Sequence, residues 1–253
     1  MFEKSEYTDY LKKVLRLNQS SAGQFPSLVQ GEVHIWTVSV DRLKEQLNTL
    51  KSLLTEEEIG RVSFYKFEHT QHSYIVTQAV LRVLLSLYLD VKPGEVQMGV
   101  HSKGKPFLIH DRPIFFNISN SEDLCVYAFS YDGEVGIDIE RIRQMPDIEQ
   151  LIQKNLTVRE KEYVVKDPDK KLARFFRFWT IKESYLKAIG EGMRLTPDNL
   201  EFFVEQGKIR LRSVNYGFEG ADWQFKEFTR DGNYTGTLTF AGRELIIREM
   251  IPV

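Results

Sequence analysis

Two passages of this chain follow one plan. In the first, VLRVLLSLYLDVKPGEVQMGV leads to GKPFLI and then to FFNISNSEDLCVYAFS; in the second, TIKESYLKAIGEGMRLTPDNLEFFV leads to GKIRLR and then to WQFKEFTRDGNYTGTLTFA. Each runs helix, Pro-containing loop, strand, Gly-Lys turn, strand, hairpin. An order of elements that recurs over a long period marks a duplicated unit. The chain therefore reads as an α+β protein of two pseudo-symmetric halves, residues 32–133 and 134–253, behind an N-terminal extension over 1–31. A duplication places a cleft where its halves meet. Here that joint falls near 133–145.

Within the first half, EVHIWTVSV predicts a strand, 41–60 a helical stretch, and 69–89 a long helix that DVKPGE ends. Short strands are expected at 95–101, 106–110 and 113–118. LCVYAFSYDGEVGIDIE reads as strand, turn and strand, with Asp132-Gly133 as the hairpin signal. In the extension, Tyr7, Tyr10, Leu11, Val14 and Leu15 predict an amphipathic helix over 6–17, followed by a loop rich in Ser, Gly and Pro.

Charge and composition exclude several classes. A formal net charge of −2 is too balanced for a general nucleic-acid or membrane-surface binder. No apolar run approaches the ~20 residues that cross a bilayer, the longest lying around Val83–Leu89, and the N-terminus has no signal-peptide core. A single cysteine, Cys125, rules out an internal disulfide framework. Its neighbours in LCVYAF make it a buried strand residue rather than a nucleophile. The expectation is a cytoplasmic protein. Yet residues 141–187 hold twelve Lys or Arg against seven Asp or Glu, a net of +5 against −7 elsewhere. A solvated helix face accounts for part of this excess; the other reading is a docking surface for an acidic partner.

Chemistry concentrates in EVGIDIERI (134–142) and FWTIKESYLKAIGEG (178–192). Side chains alternate along a strand, so Asp138 and Glu140 project from one side. Along the helix, Leu172, Phe176, Trp179, Glu183, Leu186 and Gly190 share a face at steps of four and three. An unpaired charge on such a face costs several kcal/mol, roughly. Taken alone, Glu183 could be paired with Arg174 or Arg177, and Asp138 with Glu140 could be an exposed strand face. Taken together, three carboxylates suit a hard divalent cation such as Mg²⁺. Lys187, one helical turn past Glu183, would then stand beside the cation and suit a phosphate.

Other residues are candidates for anion binding. SKGKPF (102–107) puts Lys105 in a Gly-Pro turn, where an ammonium and backbone donors can hold an anion. NISNS (117–121) offers hydroxyls and amides after a strand. A hairpin turn and ordinary turn satisfaction explain the same residues. Arg61 precedes FYKFEH and Lys66 lies within it. His69 and His72 have ligand spacing but no third partner. Walker A, G-x-G-x-x-G and nucleophile-elbow motifs are missing from the sequence.

GIDIE, WTIKESYLKAIGEG, GKP and FNIS-x-S, in this order and spacing, resemble the 4′-phosphopantetheinyl transferases of the surfactin-synthetase-activating type, over about residues 32–245. Single-unit holo-acyl-carrier-protein synthases share the two acidic motifs, but the duplication fits the larger, pseudo-dimeric type, which implies an active site at the interface of the two halves. The resemblance implies that the phosphopantetheine arm of coenzyme A moves to a serine of an acidic apo carrier protein, releasing adenosine 3′,5′-bisphosphate. It implies Mg²⁺ on Asp138, Glu140 and Glu183, with Glu183, or a water it orients, taking the serine proton. Lys187 would hold a phosphate. Lys105, Pro106, Ser119 and Asn120, with Asp138, Lys187, Arg61 and Lys66, would line or serve the coenzyme A site. It also implies a monomer acting without nucleic acid or membrane.

Three features depart from the pattern. Asn120 stands where several relatives have histidine, Ser73 and Gln78 stand where arginine is common, and GEG at 190–192 replaces a frequent GKG. Asn120 and the partly depleted basic set support the alternative of a catalytically degenerate relative that binds carrier protein or coenzyme A without transfer. The intact acidic triad with Lys187 opposes it.

Overall fold

The computed structural model describes residues 25–191, 197–213 and 222–250; the helix expected over 6–17 lies outside them. The first half runs β1 (Glu32–Ser39), α1 (Leu47–Lys51), α2 (Glu56–Val62), α3 (Glu68–Leu89), β2 (Met98–Val100), β3 (Pro106–Leu108), β4 (Phe115–Ser121) and β5 (Leu124–Ser130). The second runs β6 (Val135–Arg141), α4 (Ile148–Asn155), α5 (Val158–Val165), α6 (Lys171–Ile189), β7 (Leu200–Glu205), β8 (Lys208–Ser213), β9 (Trp223–Arg230), β10 (Tyr234–Ala241) and β11 (Ile246–Met250).

Strand order makes the duplication explicit. One sheet runs β1-β5-β4 and the other β6-β10-β9, and each half adds a separate hairpin, β2-β3 or β7-β8, after its long helix. Even the helix starts correspond. Thr55 with Glu58 opens α2 and Thr157 with Glu160 opens α5, each as a capping box that satisfies otherwise orphaned backbone donors. The last strand breaks the symmetry: β11 lies parallel to β1, at the outer edge of the first sheet.

Three hydrophobic cores follow from strand alternation. Val33 and Ile35 of β1, Val126 and Ala128 of β5, and Ile137 and Ile139 of β6 fill the space between the sheets, with Leu238 and Phe240 of β10. Trp36 and Val38 face the other way, onto α3. In the second half, α6 packs with Phe202, Leu200 and Ile152. Helix α3 is long and apolar enough to cross a membrane, but 72% of its apolar window is buried inside the fold. Such a helix, apolar on all sides, is here a core element. Cys125 lies within this core, and burial pushes its thiol up to about 11.

Two local expectations change. The helical stretch at 41–60 is interrupted: a 3-10 turn (Asp41–Gln46) and α1 end before Thr55 caps a new helix. Asp132-Gly133 does not close a hairpin. Both edges of β5 are taken, by β1 and β4, and β6 pairs with β10 instead. With Gly133 at φ +148, this dipeptide carries the chain from one sheet to the other. The matching dipeptide in the second half, Asp231-Gly232, does close the β9-β10 hairpin, with φ of 47° and 71°.

Candidate active site

Strand β6 sends Ile137 and Ile139 into the core between the sheets, so Gly136, Asp138 and Glu140 face α6. Gly136 fixes how close the helix comes. A Cβ built there would lie 1.9 Å from Ser184 O and 2.5 Å from Ala188 N. Helix and strand backbones therefore touch where only glycine fits. Two hydroxyl pairs set the helix's lengthwise position: Thr180 meets Thr237 at 3.1 Å and Ser184 meets Thr239 at 2.7 Å, both partners on β10. With its depth and register fixed, α6 presents Glu183 and Lys187 to the acidic face of β6.

Lys187 Nζ donates to Asp138 Oδ1 at 2.7 Å, to Ser119 Oγ at 2.9 Å and to Ile137 O at 3.2 Å. Ser119 Oγ donates in turn to Asp138 Oδ1 at 2.8 Å. The other oxygen, Oδ2, is buried and accepts no hydrogen bond. An unpaired buried carboxylate oxygen is costly, and native structures leave few of them unexplained. Burial raises the Glu183 pKa above its ordinary value, with Asp138 and Glu140 adding repulsion and Lys187 opposing. Glu140 is also raised, by burial and then by the Asp138 charge, against its hydrogen bond from Ser121. Arg174 and Arg177, the alternative partners for Glu183, are engaged elsewhere, with Asp167 and Glu227.

This donor set fits a divalent cation. An orphaned Oδ2 and two carboxylates destabilised by burial and then by their neighbours' charge gain together from one positive ion. As they stand, no three His, Cys, Asp or Glu side chains among the described residues are gathered tightly enough to hold a metal. Lys187 supplies part of the counter-charge.

The halves meet along β4 and β6, joined by side chains. Asn117 Oδ1 accepts from Ile137 N at 2.9 Å, Ser119 bonds Asp138, and Ser121 Oγ accepts from Arg141 N at 3.1 Å while donating to Glu140 Oε2 at 2.7 Å. Alternate residues of one strand thus hold the carboxylates of the other. The sequence signal for Asn117 and Ser121 was their period of two with Ser119. Beside this seam opens a pocket of about 270 Å³, lined by Lys103, Gly104, Lys105, Pro106, Asn117, Ile118, Leu186, Lys187 and Gly190. Lys103 and Glu191, at its rim, form an ion pair.

The remaining candidates lie apart from the carboxylates. The Lys105 ammonium turns toward Glu134, Val135 O and Ala188 O. Asn120 is exposed and donates to Ser73 Oγ at 3.3 Å. Arg61 pairs with Glu57 at 2.6 Å, and Lys66 lies 5.7 Å from the Phe67 ring; neither lines the pocket. Part of the basic excess over 141–187 is met by acids outside that segment: Arg143 pairs with Glu122, Arg159 with Glu201 and Arg177 with Glu227.

Fold and site together define an enzyme with an acidic, lysine-bearing centre between duplicated halves. Comparison with known proteins gives the class. A family model described as the 4′-phosphopantetheinyl transferase superfamily matches residues 134–239, and one described as 4′-phosphopantetheinyl transferase, N-terminal, matches 37–131. The 4′-phosphopantetheinyl transferase HetI of Nostoc sp. is 35% identical over 228 residues, covering 85% of this chain and 90% of the relative. The 4′-phosphopantetheinyl transferase gsp of Aneurinibacillus migulanus is 35% identical over 171 residues, 64% of this chain and 66% of the relative. Among solved structures, the holo-(acyl-carrier-protein) synthase of Thermotoga maritima matches with a TM-score of 0.34 and 21% identity, covering 44% of this chain and 63% of that one. The chain belongs to the 4′-phosphopantetheinyl transferase family, whose members transfer phosphopantetheine to carrier proteins.

Proposed function

We propose that this chain moves the 4′-phosphopantetheine arm of coenzyme A to a serine of an acidic apo carrier protein, using Mg²⁺ and releasing adenosine 3′,5′-bisphosphate, and that it does so as a monomer. The observation that carries the reading is the buried Asp138 carboxylate oxygen without a partner, next to Lys187, with the charges of Asp138 and Glu140 both bearing on Glu183.

Asp138, Glu140 and Glu183 would hold the cation. Bound there, Mg²⁺ supplies positive charge to the diphosphate of coenzyme A. Lys187 contributes a second positive charge to the same oxygens, and oriented charge of this kind is the main catalytic device in phosphoryl transfer. Glu183 accepts the serine proton, directly or through one water. The serine oxygen bonds to the phosphorus that carries pantetheine. The bond from that phosphorus to the bridging oxygen breaks, and adenosine 3′,5′-bisphosphate leaves with the electron pair. Asn117, Ser119 and Ser121 keep the strand carrying the acids in place.

Incubation with coenzyme A, Mg²⁺ and an apo carrier protein, followed by intact mass, tests this. A phosphopantetheine adduct on the carrier serine is expected, absent with EDTA and with Glu183→Gln. Adenosine bisphosphate released without carrier would make the protein a hydrolase instead, and a full yield in EDTA would remove the metal.

A further inference from the structure

Lys105 comes from the turn between β2 and β3, in the first half, yet all of its side-chain hydrogen bonds go to the second. Its ammonium donates to the Glu134 carboxylate, to Val135 O at 3.2 Å and to Ala188 O at 2.8 Å. An ammonium has three N–H donors, so none is left over. Its side chain is 8% exposed, against 28% for Lys187. Glu134 supplies the countercharge that such burial requires. Lys105 lines the pocket with its stem beside Gly190: its Cδ lies 3.5 Å from where a Cβ on Gly190 would be.

The acceptors occupy a particular place. Ala188 O is one of the last carbonyls of α6, which have no partner within the helix, and a cation at a helix C-terminus is favoured by the helix dipole as well. Val135 immediately precedes Gly136, and the backbone of Ala188 is what Gly136 makes room for. Lys105 thus binds both sides of the closest approach between α6 and β6. Lys187 is the residue before Ala188.

We infer that Lys105 is a positioning residue: its ammonium staples the end of α6 to the start of β6 and so sets how Glu183 and Lys187 face Asp138. The resemblance gave it the role of lining the coenzyme A pocket; here its stem forms apolar wall and its charge holds the protein together. To reach a phosphate it would have to release a helix-end carbonyl and leave Glu134 unpaired. The kinetic consequence rests on the transfer proposed above, but the effect on α6 does not.

Amide hydrogen exchange and steady-state kinetics on Lys105→Met and Glu134→Ala test the inference. In Lys105→Met, exchange over residues 186–190 should accelerate about tenfold or more, with the first turns of α6 unchanged, because a charge-assisted bond at that end is lost. Transfer should lose about tenfold in kcat, with KM for coenzyme A within about twofold. Glu134→Ala should also accelerate exchange at the end of α6 and leave KM for coenzyme A unchanged, and it decides the matter if Lys105→Met does not fold. Unchanged exchange in either variant would overturn the inference. So would a KM for coenzyme A about tenfold higher at unchanged kcat in Lys105→Met, or a lower KM in Glu134→Ala, since both mark a cation serving the ligand. Should wild type transfer nothing, the proposed function fails while the exchange result still decides the role of Lys105.

Discussion

Lys187 and Asp138 meet over one carboxylate oxygen only. The ammonium lies 2.7 Å from Oδ1, and Oδ2, buried, has no hydrogen-bond partner. The pair is thus a half-neutralised site with a direction: Lys187 also touches the pocket, whereas Oδ2 does not line it. Such an arrangement stores a place for a second positive charge and keeps the first within reach of a bound anion.

Replacing Lys187 with alanine removes that first charge. The account expects kcat for carrier-protein modification to fall by about two to three powers of ten, as for a single electrostatic donor. Discontinuous assays by carrier mass will show this. Activity within a few-fold of wild type would remove Lys187 from the mechanism.

Glu183 is held at a cost to the fold. Its folded pKa lies above the ordinary 4.5, through burial first and then the charges of Asp138 and Glu140. A raised carboxyl pKa means the folded state keeps its proton to higher pH. Its contribution to stability is therefore full below about 4.5 and is lost as pH rises through the folded pKa. In EDTA, Glu183→Gln should melt higher than wild type at pH 7, with the gap closing toward pH 4. Thermal melts at the two pH values test this, and a variant that melts lower at pH 7 would contradict it.

The parts of this molecule that repeat were legible in the sequence, and those that depend on one partner were not. The helix-strand-hairpin order of each half, and the shared face of Asp138 and Glu140, follow from local period and were read directly. Asp132-Gly133 carried a hairpin signal, but β5 had no free edge for β6, a fact that only the assembled sheet contains. The return of β11 to β1 is likewise a long-range choice. Lys182 stands beside Glu183 in WTIKESYLKAIGEG yet belongs to a buried ion pair, because local sequence does not tell a core charge from one at the site. The fit of Gly136 against α6 needed the helix backbone in view.

Gly136 gives the next prediction. In Gly136→Ala the new methyl would meet Ser184 O and Ala188 N, backbone atoms that cannot rotate away. Overpacking of this kind costs about 1–3 kcal/mol, and here it also moves α6 off β6. Denaturant melts should show the loss, and the folded fraction should transfer poorly. A variant with wild-type stability and rate would mean that the close approach does not matter.

Lys182 and Glu160 form an ion pair at 2.7 Å, each side chain 1% exposed. Glu160 also accepts from Phe202 N and Thr157 N, both at 2.8 Å, and Lys182 donates to Leu200 O at 2.7 Å. The pair joins α5, α6 and β7. Lys182→Met leaves a buried carboxylate without its cation and should cost about 3–5 kcal/mol. The double change Lys182→Met with Glu160→Leu should recover part of that loss. Equal stability of the single variant and wild type would show the pair to be dispensable.

The central claim is that Asp138 and Glu140 of β6 and Glu183 of α6 serve a single cation. Titration of Mn²⁺ into the protein with coenzyme A, followed by electron paramagnetic resonance, measures it directly. Wild type should take up one ion, and Asp138→Asn, Glu140→Gln and Glu183→Gln should each weaken uptake by about tenfold or more, as expected when any one ligand of a shared site is lost. If any of the three variants binds Mn²⁺ as wild type does, that residue is no ligand and the shared site, as described, is wrong.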